Sequence, residues 1–173
     1  KIYAIGDAAG SFQFTHAAGY HAGILVRNIV FHLPAKVDYR CMPWVTYTHP
    51  ELSHVGMNEM QAKEKNIAHK ILSFAYSEND RAQAEHETRG MIKVVVTPKG
   101  HILGATIVGH QAGELIMPWV LAMNNKLKIS AMAGAIAPYP ILGEISKRAA
   151  GEFYTPTLYS DKMKRIVGWL KRL

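Results

Sequence analysis

Lys93-Val94-Val95-Val96-Thr97 and Ile102-Leu103-Gly104-Ala105-Thr106-Ile107-Val108 are two β-branched runs separated by Pro98-Lys99-Gly100 and His101. That spacing, with glycine in the turn, reads as an antiparallel hairpin. Upstream, Pro43–Thr48 and Lys70–Tyr76 read as further strands, and His49–Gly56 reads as a turn and short connection. Asn58 is placed to cap a short helix over Glu59–Lys65, and Glu78–Glu85 is polar and weakly helical. Helices follow the hairpin: Ala112–Met123, apolar on most sides, a short piece capped by Ser130 and running to Ala135, and Ile141–Ala150. Strands first and helices after give the α+β class, with an antiparallel sheet flanked by helices.

The first fifth has a different character. Ile2-Tyr3-Ala4-Ile5 is a short apolar run that stops at Gly6-Asp7, the pattern of a buried parallel strand ending at a ligand-facing edge. After a loop of small residues, Ala8–Ser11, an amphipathic helix is expected over Thr15–His32. Ala18, Ala22, Leu25, Val26 and Ile29 lie near one face, and Pro34 ends the helix. Strand, Gly-Asp, loop and helix make half of a doubly wound unit, in which ligands sit beyond the carboxyl ends of strands. The change of character near Pro34–Pro43 divides the chain into 1–36, 37–155 and a basic amphipathic tail, 156–173. Because Lys1 opens inside the expected strand with no initiator Met, the chain is expected to be a piece of a longer protein.

Composition excludes several classes. With 49% apolar and 19% charged residues, disorder is excluded. The longest apolar candidate, Leu115–Met123, is interrupted by Pro118 and falls short of the roughly 20 residues a bilayer requires, so no integral membrane segment is expected. The single cysteine, Cys41, rules out an intramolecular disulfide and a redox dithiol within these residues. It reads as a small apolar residue and fits a reducing, cytoplasmic setting. His16/His21 and His49/His54 are spaced i,i+5, about 140° apart on a helix, unlike a zinc-binding i,i+4 pair, so no metal site is expected.

The net charge of +7 is weighted toward Lys162, Lys164, Arg165, Lys171 and Arg172. Such a tail suits nucleic acid or an anionic membrane surface, but it lacks the pattern of interleaved aromatics or the recognised motif that would make nucleic-acid binding specific, and nucleic acid is not expected as a partner. Its apolar stripe, Met163, Ile166, Val167 and Leu170 with Trp169, is expected to dock on the body. Trp44 and Trp119 read as core or interface aromatics.

Ala137-Pro138-Tyr139-Pro140-Ile141-Leu142-Gly143-Glu144 holds a phenol between two rings of fixed φ, with a carboxylate following as a helix begins. The same residues serve equally as an ordinary turn between helices. Glu144 and Arg148 at i,i+4 could then form a surface pair worth about 0.3–0.5 kcal/mol.

Two sets of segments resemble a known family. Ile2–Asp7 with Phe14-Thr15-His16-Ala17-Ala18 is similar to the second flavin-contact segment of the pyridine nucleotide-disulfide oxidoreductases. Pro43–Gly56, Gly90–Val95, Ile102–Gly109 with Ala112–Ile116, and Tyr139–Glu144 resemble, in order, that family's C-terminal dimerisation domain. The likeness is greatest to the mercuric reductase-like and dihydrolipoamide dehydrogenase-like members.

The resemblance implies that Gly6 and Asp7 contact FAD, and that Thr15, His16 and Ala17 offer helix-start amides to the flavin ring edge. Tyr139 and Glu144 would act across a homodimer interface, and Glu114 would face a helix start at that interface. Most members carry His-Pro-Thr where this chain has Tyr139-Pro140-Ile141. A phenol with a reference pKa near 10 is a poor base beside an imidazole near 6.5, but it remains a hydrogen-bond donor. The vicinal cysteines that the mercuric reductase branch carries near its C-terminus have no counterpart in Thr155–Leu173.

The implied function is the C-terminal dimerisation part of an FAD-dependent NAD(P)H oxidoreductase. It would pass electrons through FAD and a dithiol outside this chain to a metal ion, a quinone-like molecule or a small disulfide. The chain alone, lacking the dinucleotide motif and the cysteines, is expected to be inactive. The alternative is a purely structural dimerisation module of a dihydrolipoamide dehydrogenase-like protein without dithiol chemistry.

Overall fold

The computed structural model describes residues 2–171; Lys1 and Arg172, both used in the sequence reading, lie outside them. The elements are α1 (Thr15–Ile29), β1 (Pro43–Thr46), β2 (Glu51–Gly56), α2 (Glu59–Glu64), β3 (Lys70–Ala75), α3 (Asp80–Ala84), β4 (Met91–Val96) and β5 (Ile102–Gly109). They continue with α4 (Ala112–Leu115), α5 (Met117–Asn124), α6 (Ile129–Ala133), α7 (Glu144–Gly151), α8 (Thr155–Leu158) and α9 (Asp161–Leu170).

The strands form one five-stranded antiparallel sheet in the order β1-β2-β5-β4-β3. Val94 pairs with Ala105 at the centre of the expected hairpin. On one face Ile92, Val94, Val96, Ala105 and Ile107 are buried together with Val55 and Leu72. α5 and α7 cover that face, bringing in Trp119, Ile145 and Ala149. Each large side chain so buried contributes about 1.5–3 kcal/mol relative to exposure.

His49–Gly56 differs from the expected connection, because Glu51–Gly56 is β2, paired on both sides. Its polar residues suggest a loop, yet each has a partner. The Ser53 hydroxyl donates to the Ala112 carbonyl at 2.7 Å. His54 has Nε2 on the Gly56 carbonyl at 3.0 Å, so that nitrogen carries the proton and Nδ1 accepts from the Thr106 hydroxyl at 2.8 Å. Burial lowers the pKa of His54, with the Gly56 carbonyl opposing it, in keeping with a neutral ring.

Other expectations shift for local reasons. Ala112–Met123 is two helices rather than one, broken at Ile116 because Pro118 has no N–H for a continuous ladder. α6 is preceded by Lys128 with no side-chain cap, so Ser130 is not the cap expected of it. Asn58 does cap α2, in a reciprocal box with Gln61. Ile2–Ile5 forms no strand and its apolar residues are exposed, because no strand of the described residues lies beside it to complete a ladder. α1 buries Ala17, His21 and Ile24, leaving Val26 and Ile29 exposed, which rotates the inner face away from the one the apolar residues mark. α9 buries nothing, so the docked tail is not observed: Trp169 is 64% exposed.

Close approach of backbone to an aromatic ring fixes the end of β5. A Cβ on Gly109 would sit 2.3 Å from the Tyr76 ring. The Tyr76 hydroxyl donates to the His110 carbonyl at 2.9 Å, and burial, then the Glu51 charge, hold its phenol above the usual range. This pins the β5–α4 corner, where the Glu51 carboxylate accepts from the Gly113 amide at 2.8 Å. Glu114 stands exposed in the first turn of α4, as expected, and Glu51 is the carboxylate that accepts from an amide there.

Candidate functional site

Two groups of sequence-predicted residues lie in different parts of the chain. No hydrogen bond, ion pair or cleft among the described residues joins Tyr139 and Glu144 to Gly6, Asp7, Thr15, His16 or Ala17.

The first group is mounted by α3. Asn79 is buried and caps that helix, its Oδ1 accepting from the Ala82 amide at 2.9 Å. Its Nδ2 donates to the Ile141 carbonyl at 3.2 Å, tying the cap to the Pro138-Tyr139-Pro140 turn. Next along, Asp80 Oδ2 accepts from the Tyr139 hydroxyl at 3.0 Å. Leu142 and Ile145 anchor the other side of the turn in the core. The phenol is thus 70% exposed while both flanks are fixed.

The hydrogen bond to Asp80 is the largest cause raising the pKa of Tyr139; the Asp80 charge, burial and the Glu144 charge follow. A negative neighbour that accepts the hydroxyl proton favours the protonated phenol. Glu144 stands in the first turn of α7, half-exposed, and no ion pair joins it to Arg148 among the described residues. The site therefore holds a neutral phenol whose one proton rests on Asp80, with the Glu144 carboxyl nearby.

Asp80→Asn is expected to make Tyr139 ionise at lower pH, because the anionic acceptor is gone. Near-ultraviolet titration of each protein against its Tyr139→Phe counterpart isolates that phenol. An unchanged difference curve would rule out Asp80 as the cause.

The second group surrounds the start of α1. Gly6 has φ +60°, and a Cβ there would lie 2.9 Å from the Ala18 Cβ, so the turn and the helix meet through a glycine. Its amide donates to His21 Nδ1 at 3.0 Å, and His21 Nε2 then donates to the Tyr39 hydroxyl at 2.7 Å. Ala17 is buried at this junction, whereas Asp7, Thr15 and His16 are exposed. Asp7 has no hydrogen bond or ion pair through its carboxylate among the described residues. α1 begins without a side-chain cap at Phe14, leaving its first-turn N–H groups available.

His16 stacks on Phe14 and contacts the Pro43 carbonyl at 2.8 Å through Nε2. Thr15, His16, Trp44, Tyr47 and Met117 line a cleft of about 520 Å³ that runs from this helix start to the sheet domain.

A model of the pyridine nucleotide-disulphide oxidoreductase dimerisation domain matches residues 42–150. The chain belongs to that family. Mercuric reductase of Staphylococcus aureus is 37% identical over 154 residues, covering 88% of this chain and 28% of the relative. The mitochondrial dihydrolipoyl dehydrogenase of Caenorhabditis elegans is 36% identical over 150 residues, 86% and 30% of the two lengths. The HOCl-induced flavoprotein disulfide reductase RclA from Escherichia coli superposes with a TM-score of 0.82 at 27% identity, covering 87% of this chain and 35% of that one. The chain spans about a third of the length of these relatives.

The matched dimerisation domain contains the sheet, its covering helices and the Tyr139–Glu144 stretch, whereas Gly6–Ala17 lies before it. Asn79, Asp80, His21 and Tyr39 position the candidate residues, and the sequence reading passed over all of them in these roles. Only Asn79, directly before the helix-forming Asp80–Ala84, carried a local signal, as a cap residue.

Proposed function

We propose that this chain is the C-terminal part of a homodimeric, cytoplasmic, FAD-dependent NAD(P)H oxidoreductase. Residues 1–36 are the end of the FAD-binding domain, 37–155 the dimerisation domain and 156–173 a basic amphipathic helix. Electrons travel through FAD and a dithiol supplied outside this chain to a small acceptor: a metal ion, a quinone-like molecule or a small disulfide. The chain by itself does not turn over.

Gly6, Asp7, Thr15, His16 and Ala17 would hold the FAD. The uncapped start of α1, the glycine contact at Gly6 and the free carboxylate of Asp7 suit an anionic, hydroxyl-bearing ligand beside a planar ring system. When bound, FAD supplies two-electron transfer between nicotinamide and dithiol. The residues of this chain would orient it, with Trp44, Tyr47 and Met117 along the neighbouring cleft.

At the other group, the exposed Tyr139 hydroxyl would face the partner subunit's active site, turning its one proton from Asp80 to the acceptor there, and Glu144 sets the local charge. The observation that carries this reading is the exposed phenol, fixed by Asp80 and held protonated.

The full-length protein is expected to purify yellow, with FAD at about one per subunit. Asp7→Ala should lower FAD retention on dilution by about tenfold, a loss of about 1.4 kcal/mol for a charge-assisted contact. A colourless full-length protein that takes up no FAD from solution sinks the assignment.

A further inference from the structure

α8 and α9 lie beyond the matched family domain, which ends at residue 150. In α9, Met163, Ile166, Val167 and Leu170 recur at i, i+3, i+4 and i+7 and so share one face. Ile166, Val167 and Leu170 are 40%, 42% and 52% exposed. Exposed Leu158 and Tyr159 continue the apolar surface from the end of α8.

The charges are arranged around this stripe. At about 100° per residue, Lys164 and Lys171 fall on one flank and Lys162 on the other, beside Trp169, while Arg165 stands on the opposite side. Asp161, in the first turn, is the acid of α9 and lies 3.4 Å from Lys164. A groove of about 270 Å³ between α8 and α9 has Leu158, Met163 and Val167 along it, with Lys164 and Lys171 also lining it.

A second copy of this same surface is a poor match for it, because Lys162, Lys164 and Lys171 would meet their counterparts around the apolar stripe. An anionic lipid surface matches both features. Its head groups meet the flanking lysines, whose stems extend along apolar surface while their ammonium groups stay in water. Its acyl boundary takes the stripe, and the indole of Trp169 sits at the head-group level. With 10 residues α9 is far short of the roughly 20 that span a bilayer, so the helix lies in the plane.

We propose that α9 is an in-plane anchor that attaches the protein peripherally to an anionic lipid surface. This attachment is independent of the redox reading.

The test is sedimentation of the full-length protein with vesicles of phosphatidylcholine alone or mixed with phosphatidylglycerol. Binding is expected to the anionic vesicles only, and to weaken as salt is raised. Neutralising the flank with Lys162→Gln, Lys164→Gln and Lys171→Gln should lower partitioning by about a hundredfold, roughly fivefold per lysine. The triple variant should keep the wild-type oligomeric state by ultracentrifugation. Tryptophan emission should shift to the blue on adding anionic vesicles, and Trp169→Phe should abolish that shift. The anchor is overturned if wild type stays in the supernatant with anionic vesicles, if the triple variant binds as well as wild type, or if it dissociates the dimer.

Discussion

Trp119→Ala is expected to lower the unfolding free energy by about 3–5 kcal/mol, a large share of the 5–15 kcal/mol typical of a domain. Trp119 is fully buried on α5, against the face of the sheet that α7 also covers. Its Nε1 donates to the Ser146 hydroxyl on α7 at 3.0 Å, a contact enclosed on all sides. Removing the indole leaves a large cavity, and the neighbouring backbone of β5 cannot collapse into it without breaking its ladder.

Two milder substitutions separate packing from the hydrogen bond. Trp119→Phe keeps most of the ring, and Ser146→Ala keeps the indole but leaves its N–H unpaired. Each should cost about 1–3 kcal/mol. Because α7 begins at Glu144, just after the Tyr139 turn, loss of the α5–α7 contact also loosens the mount of the candidate site. Urea unfolding at fixed protein concentration is the measurement, with an unchanged slope and a lowered midpoint as the expected result. A Trp119→Ala loss below 1 kcal/mol would contradict the core assignment.

The elements with strong local signals were legible from the sequence alone. The Val94–Val96 and Ile102–Val108 hairpin, the Asn58 cap and the strand at Lys70–Ala75 all follow from alternation or capping chemistry that acts within a few residues. β2 was not legible, because Glu51, Ser53 and His54 are polar and their partners, Gly113, Ala112 and Thr106, are more than fifty residues away. His21 hid the inner face of α1 in the same way: a titratable side chain becomes a core residue only once the Gly6 amide and the Tyr39 hydroxyl occupy its two nitrogens.

At the candidate site the sequence marked the phenol and the carboxylate of α7, since proline and helix-start patterns are local. Asp80 went unnoticed because the hydrogen bond that matters spans fifty-nine positions. Long-range polar pairing, rather than apolar patterning, set the limit in each case.

Tyr139→Phe in the full-length protein is expected to lower kcat/KM for the electron acceptor by about 10²–10³, the loss typical of one donor aimed at developing charge. NAD(P)H binding should be unchanged, because the substitution removes a single oxygen and leaves the ring between its two prolines. The pH profile discriminates donor from base. With Asp80 accepting the hydroxyl proton and Glu144 nearby, the phenol stays protonated beyond its ordinary value near 10, so wild-type activity should show no limb from this residue across the neutral range.

Tyr139→His reverses that. An imidazole beside Asp80 gains a charged partner for its protonated form, and should introduce a limb with an apparent pKa at or above about 6.5. It should also raise dithiol–disulfide exchange with small disulfides, which needs a group that takes up and returns a proton at sulfur. Steady-state rates from pH 5 to 9 for the three proteins decide between these roles. Equal activity of Tyr139→Phe and wild type would show that the phenol is only part of the turn. A neutral-range limb lost in Tyr139→Phe would show that it works as a base despite Asp80.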